Sequence, residues 1–332
     1  VGTSIGAVNG AAIAQGMSAA ELERFWLSLR ENDIQGLPHG MGWLARRVAN
    51  LVLRPTIGTH LHRVPPEIGL SPAADESWPP LPLLPRALSE RLIGRWSNLL
   101  DTGPLHQTML TRMKFDEAKI NSSAVTLLIS ATNVRTGEAV VFSNRAVEDP
   151  KGRKRYKHSK ITSRRVIASC SIPMVYPWTK DDDGEVYWDG AIVQNTPLGP
   201  AFDAVSKLPL EEPMEAVIVM MTPWWESEPD RYYESGRLPQ DFGEAMTWTL
   251  DWALLSSFRR DLKQAETFNK LAQDDAVHGI PPRYRLVRPI IVAPDAFLPA
   301  TRIIDYDEAA SSYLIEAGYQ AAKRAFESQF GV

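Results

Sequence analysis

A single cysteine, Cys170, stands in the whole chain, so no internal disulfide can form, and this usage is consistent with a reducing compartment. No apolar run approaches the ~18 residues that a bilayer-spanning helix needs. The net charge of −4 lacks the basic excess that marks a nucleic-acid partner. There is no His-Glu-x-x-His, no phosphate loop and no cysteine pair, so neither a metal nor a nucleotide cofactor is expected. The adjacent aspartates Asp181–Asp183 lack the alternating ligand spacing of a calcium loop and read as a hairpin turn. Internal repeats are also missing. What remains is a chain of 332 residues, 44% apolar and 23% charged, with the composition of a soluble globular enzyme of one large or two smaller domains.

The first residues, VGTSIGAVNGAAIAQG, carry the most specific local signal. Gly2-Thr3-Ser4-Ile5-Gly6 fits G-x-S-x-G, the pattern of a serine held on a strained strand-to-helix turn. Glycines would flank the serine because side chains there collide with the neighbouring strand and helix. Ala7, Ala11, Ala12 and Ala14 predict a helix behind it, with Gly10 where packing is tight and Gly16 as the stop. A Gly-Ser turn before a helix is also a common structural device, so the pentapeptide alone leaves catalysis and structure open. The chain opens at Val1 without an initiator methionine or a lead-in strand, which is the expectation for an N-terminally truncated sequence and leaves a signal peptide unassessed.

Further along, Ser18 and Glu21 form a capping-box pattern before a helix carrying Leu22, Phe25, Trp26 and Leu29 on one side. Seven prolines between Pro65 and Pro85 predict an irregular loop. That loop, with Trp78 and the Leu81–Leu84 cluster, suits either a lid over a pocket or a segment packed on the domain. Val125–Ile129 and Ala139–Phe142 read as strands joined by a turn at Val134–Gly137. The run 151–160, KGRKRYKHSK, holds six Lys or Arg in ten residues. A helix is expected over Ile161–Ser171, ending before Pro173. A turn and short strand are expected over 181–190, and strands at Ala216–Met221 and Arg288–Val292. Long helices are expected at Phe242–Ala272 and Glu308–Phe330. Alternating strands and helices give an α/β class.

A serine needs a base. Of the six histidines, His39, His60 and His62 border the proline-rich segment, His158 sits in the basic run, and His106 lies in no recognisable motif. His278 has the chain order of a Ser–Asp–His triad. The carboxylate that stands out is Asp189 in Tyr187-Trp188-Asp189-Gly190-Ala191, at a predicted strand end before a sharp turn. An ordinary Asp-Gly turn has the same appearance.

Taken together, GTSIG and WDGAIVQNTP resemble the patatin-like phospholipase family. Three further stretches keep that family's order: Asp101–Leu105 (D-T-x-P-L), SATNVRTGEAVVFSN at 130–144, and ASCSIPMVYP at 168–177. The resemblance spans about residues 1–200. It implies a three-layer α/β sandwich with a central, mostly parallel sheet over 1–205, and a mostly helical C-terminal extension, 206–332, packed on it, as in some bacterial members. It further implies a Ser–Asp dyad of Ser4 and Asp189 with no histidine. The backbone of Gly2, Ile5 and Gly6 would serve at the elbow and oxyanion site, and Gly190 and Ala191 would form the turn at the aspartate. Tyr187, Trp188 and Met174 would be an apolar wall or ordinary core. Two positions depart from the family: Ala191 replaces a commoner glycine, and Trp178 stands where proline is usual. The family's upstream glycine-rich oxyanion loop is absent from these residues, so this stretch alone is expected to be weak or inactive.

The expected substrate is a lipid or simple ester, and no cofactor is implied. Residues 151–160 offer peripheral contact with an anionic membrane, and a solvated loop is the plainer reading of the same run. The expected location is cytoplasmic, with peripheral membrane association. The rival readings are a Ser–Asp–His esterase of α/β-hydrolase type using His278, and an inactive membrane-surface interaction module.

Overall fold

The computed structural model describes residues 1–36, 98, 100–148, 152, 156–158, 160–173, 175–194, 196–210, 212–221, 242–294 and 308–330. The proline-rich 65–85 segment, His39, His60, His62, Met174 and half of the 151–160 run lie outside them.

A two-residue strand, β1 (Gly2–Thr3), leads through Ser4 into helix α1 (Ile5–Ala14). Small side chains let α1 lie close against the sheet: Ala7, Val8, Ala11, Ala12 and Ala14 are buried. At Gly10 an added Cβ would come 2.9 Å from Leu127 Cδ1. Gly16, at φ 92°, takes the left-handed conformation that follows the helix end. Helix α2 (Ala19–Leu27) starts with the expected capping box. The Ser18 amide donates to the Glu21 carboxylate at 2.8 Å, and the Glu21 amide donates to the Ser18 hydroxyl at 3.3 Å. Phe25 and Leu29 enter the core from this segment, followed by the short α3 (Glu31–Ile34). Helices α4 (Gly103–Thr111) and α5 (Glu117–Ser122) add Leu105, Met109 and Ile120 to the same core.

The central sheet is built around β2 (Leu128–Asn133), with β3 (Ala139–Ser143), β4 (Tyr156–His158), β5 (Thr179–Lys180) and β6 (Val186–Asp189). The strand order is β4–β3–β2–β6–β5, and β1 also pairs with β2. The β1–β2 and β3–β4 pairings are parallel; β2–β3, β2–β6 and β5–β6 are antiparallel. Helices flank the sheet, as an α/β sandwich requires. The strand expected at Val125–Ile129 instead runs through Asn133. Its last four residues, SATN, look polar, yet Ser130 and Thr132 are buried, because helices pack against the face of the strand while neighbouring strands take up its edges. Helix α6 is also shorter than expected (Ser163–Ser169), with Thr162 as its N-cap.

After β6 come the short helices α7 (Ala191–Gln194) and α8 (Leu198–Ala204). A separate two-stranded parallel sheet pairs β7 (Met214–Val219) with β8 (Val287–Val292). Helix α9 (Phe242–Val277) runs five residues past the expected end at Ala272 and packs on α7 and α8. Helix α10 (Glu308–Phe330) has the expected bounds and packs on β8 and α2.

One buried ion pair braces the site's side of the sheet. Arg165 of α6 lies 5.1 Å above the Phe142 ring and reaches Asp181 at 3.4 Å and Asp183 at 2.6 Å in the turn before β6. Its side chain is 4% exposed and that of Asp181 is 0% exposed. Asp181 Oδ1 in turn accepts the amides of Asp183 and Glu185, each at 3.0 Å, which fixes the hairpin. Arg165→Met would strand the buried Asp181 carboxylate. The expected loss is about 3–5 kcal/mol of folding stability, the usual cost of breaking one side of a buried pair. Denaturant unfolding would measure it.

Candidate functional site

The nucleophile pattern folds as a sharp turn between β1 and α1. Ser4 sits at φ 55°, ψ −128°, a conformation that a side chain rarely adopts. A serine at a helix N-cap normally accepts a bond from the helix's own first amides. Ser4 makes no such bond, so its hydroxyl is not consumed by capping. The amides of Ile5 and Gly6 open the helix and have no intrahelical partner. Negative charge there would meet both amides and the positive end of the helix dipole. Gly2 is required by close approach: a Cβ would fall 2.2 Å from the Gly6 carbonyl oxygen. The matching expectation for Gly6 is corrected, because a Cβ at Gly6 would point into space with no described atom within 4 Å.

Asp189 arrives from the opposite direction. β1 runs parallel to β2 and ends with Thr3 opposite Ser130. β6 runs antiparallel along the same edge of β2 and ends with Asp189 opposite Ala131. The two strands therefore point at each other and stop one residue apart in β2's register, which delivers Ser4 and Asp189 to a common place. Gly190 then turns away so tightly that a Cβ would lie 2.5 Å from the Ser130 carbonyl oxygen. The backbone of Asp189 is held on both sides: its amide donates to the Ser171 carbonyl at 2.9 Å, and its carbonyl accepts from the Thr132 hydroxyl at 3.0 Å. Thr3 adds a 3.4 Å bond from its hydroxyl to the Gln194 carbonyl, tying β1 to α7.

The Asp189 side chain is buried, and its Oδ1 accepts the Ala191 amide at 2.8 Å. Its Oδ2 makes no fully formed hydrogen bond. Burial pushes the carboxyl up to about 7, against the opposing pull of the Ala191 amide and of the Ser4 hydroxyl, which acts on the same carboxylate short of an aligned bond. Nearby Cys170 is also buried, and its thiol is pushed well up, first by burial and then by the Asp189 charge. It is a packed thiol and not a reactive one.

Sequence reading missed a third hydroxyl. Ser169, at the end of α6, accepts the Ser4 amide at 2.9 Å and donates to the Ser130 carbonyl at 2.6 Å. The block ASCSIPMVYP contains it, but nothing local says which of its two serines turns toward the sheet.

Other candidates fall elsewhere. His278 is exposed past the end of α9, and its ring bonds the Asp274 carbonyl one turn back at 2.8 Å. His106 pairs with the Ser163 hydroxyl at 2.8 Å, and burial followed by the Arg164 charge lowers its pKa. Tyr187 is in the main core, edge-on to Phe142, with its hydroxyl taking a 2.6 Å bond from Lys157. Trp188 points to the other face of β6 and is half-buried, and Trp178 is exposed. Among the described residues no group of three His, Cys, Asp or Glu side chains is arranged to hold a metal ion. No described helix is long and apolar enough to cross a membrane.

The profile of the family described as Patatin-like phospholipase matches residues 1–202. The chain belongs to that family. No curated protein gives a significant match to it. The matched stretch contains the Ser4 turn, the whole central sheet and the Asp189 turn, so it is a lipid acyl hydrolase domain by family.

Two predictions follow from the buried carboxyl of this patatin domain and the turn beside it. Because Asp189 titrates near 7 when folded and near 3.8 when unfolded, the native state holds its proton more tightly between these values. Wild-type stability should fall as pH rises through that window and level off above it. Asp189→Asn carries no such charge. Its stability advantage should be absent near pH 3.5 and reach about 4 kcal/mol by pH 8, at 1.36 kcal/mol per unit, in parallel denaturant titrations. Gly190→Ala should destabilise the fold by at least ~2 kcal/mol, since the collision is with backbone that cannot swing aside; the same titration at neutral pH checks this.

Proposed function

We propose that the chain is a serine acyl-ester hydrolase acting on lipids through Ser4 and Asp189. The observation that carries this reading is a dry carboxyl, poised near neutrality, acting on a serine hydroxyl that sits at a helix N-terminus and does not cap it. Asp189, ionised, takes the proton from the Ser4 hydroxyl as Oγ attacks the acyl carbonyl carbon. The amides of Ile5 and Gly6 and the α1 dipole favour the charge that develops on the carbonyl oxygen. The tetrahedral adduct collapses, the ester C–O bond breaks, and Asp189 returns its proton to the departing alcohol. Water then attacks the acyl-enzyme, giving a proton to Asp189. The second adduct breaks the bond to Ser4, whose oxygen regains that proton, and the fatty acid leaves.

A carboxylate at its ordinary pKa is a poor partner for a hydroxyl. Raising it by burial narrows the gap while leaving about half of it ionised near pH 7. The substrate class follows the family: phospholipid or acylglycerol esters. The cations of 151–160 are the proposed point of contact with an anionic leaflet, apart from Lys157, whose ammonium is bonded to Tyr187. Residues 206–332 are proposed as an extension that supports this domain and adds no group to the chemistry.

In the intact natural protein, Ser4→Ala should lower ester turnover by about a thousandfold or more, as removal of a nucleophile does. A covalent fluorophosphonate probe should label wild type and not this variant. In wild type, kcat/KM should rise with pH through one acidic limb near 7, because only the ionised Asp189 can accept a proton. His278→Ala should leave turnover near normal; a large loss there would replace the dyad with a triad.

A further inference from the structure

We infer that Ser169 is a positioning residue that holds Ser4 in its attacking conformation. The inference rests on the proposed role of Ser4 and extends it to a residue that touches only the backbone of the nucleophile. Helical serines commonly return their hydroxyl to the carbonyl four residues back. Ser171, just past the end of α6, does so, donating to the Ile167 carbonyl at 3.0 Å. Ser169, two residues earlier, leaves its own helix and reaches across to the sheet. It is fully buried, so this hydroxyl has no water to turn to.

Its polarity is fixed by its partners. The one proton goes to the Ser130 carbonyl, and a lone pair takes the Ser4 amide. Ser130 is the β2 residue at which β1 ends. Ser169 therefore ties the elbow to the strand at the point where the elbow begins. Ser4 needs such a tie because φ 55° is disfavoured for serine and persists only where the surroundings over-determine it. Two residues on, the Ser171 carbonyl holds the Asp189 amide. The short segment 169–171 thus grips the backbones of both Ser4 and Asp189, and so sets the gap between their side chains. Loss of the Ser169 hydroxyl frees the Ser4 amide and lets the residue relax toward negative φ, which swings Oγ off its line.

The test uses the intact natural protein, with activity expressed per folded molecule. For Ser169→Ala, the fluorophosphonate labelling rate and kcat should both fall at least tenfold. KM should change less than threefold, and the acidic limb should stay near 7, since the burial of Asp189 is untouched. Ser169→Thr and Ser169→Val have the same shape and share any strain from the added methyl. The Thr variant should label at least fivefold faster than the Val variant. A purely structural role would lower thermal stability and leave the per-molecule rates within twofold of wild type. That result, or equal rates for Thr and Val, overturns the inference while the Ser4 reading stands. A wild type that does not label, with Ser4→Ala equally active, overturns both.

Discussion

One edge of one strand decides where everything in this site can be. β2 offers the edge away from β3 to two strands at once: β1 along Ile129 and Ser130, and β6 along Ala131 to Asn133. Because β1 is parallel and β6 antiparallel to it, their C-terminal ends meet. Backbone hydrogen bonding thus brings together residues far apart in sequence, with no side chain yet involved. The glycines serve that meeting. Gly2 lets the chain fold back on the first turn of α1, and Gly190 lets it leave past the Ser130 carbonyl. A side chain at either position would push one strand end out of line.

The site works against the stability of the domain that carries it. An N-cap serine whose hydroxyl does not cap forgoes about 1 kcal/mol. A residue held at positive φ and an unfavourably buried carboxyl add to the deficit. The compensation is spread through the neighbourhood. Ala191 bonds one oxygen of Asp189, Thr132 and Ser171 hold its backbone, and an alanine-rich helix is buried behind Ser4. Arg165, clamped between the Phe142 ring and the Asp181 turn, stiffens the approach to β6 from below.

Local chemistry made much of this legible from the chain alone. The serine between glycines, the capping box at Ser18, the Asp-Gly turn and the bounds of α10 all depend on neighbours within a few positions, and each took the form its residues suggest. What could not be read depends on partners distant in sequence. Ser130 and Thr132 look like surface residues until strands pair along both edges of β2 and helices α6 and α7 pack over it, which is why β2 extends past its apolar run. Ser169 and Ser171 differ by two positions at the end of α6, and only the sheet beneath separates their roles. The buried state of Arg165, in a stretch crowded with cations, follows from an acidic turn that reads by itself as solvent-exposed.

The β5–β6 hairpin carries a further implication for how such a domain can vary in length. Strand residues alternate faces, so Tyr187 and Asp189 look one way and Trp188 the other. One residue gained or lost within β6 would exchange aspartate for tryptophan at the meeting point. The Asp181 carboxylate, bonded to the amides of Asp183 and Glu185, prevents the turn from absorbing such a slip. Drift in size is thereby steered to other connections, and this hairpin behaves as a ruler of fixed parity, counting residues from an acidic knuckle to the carboxylate.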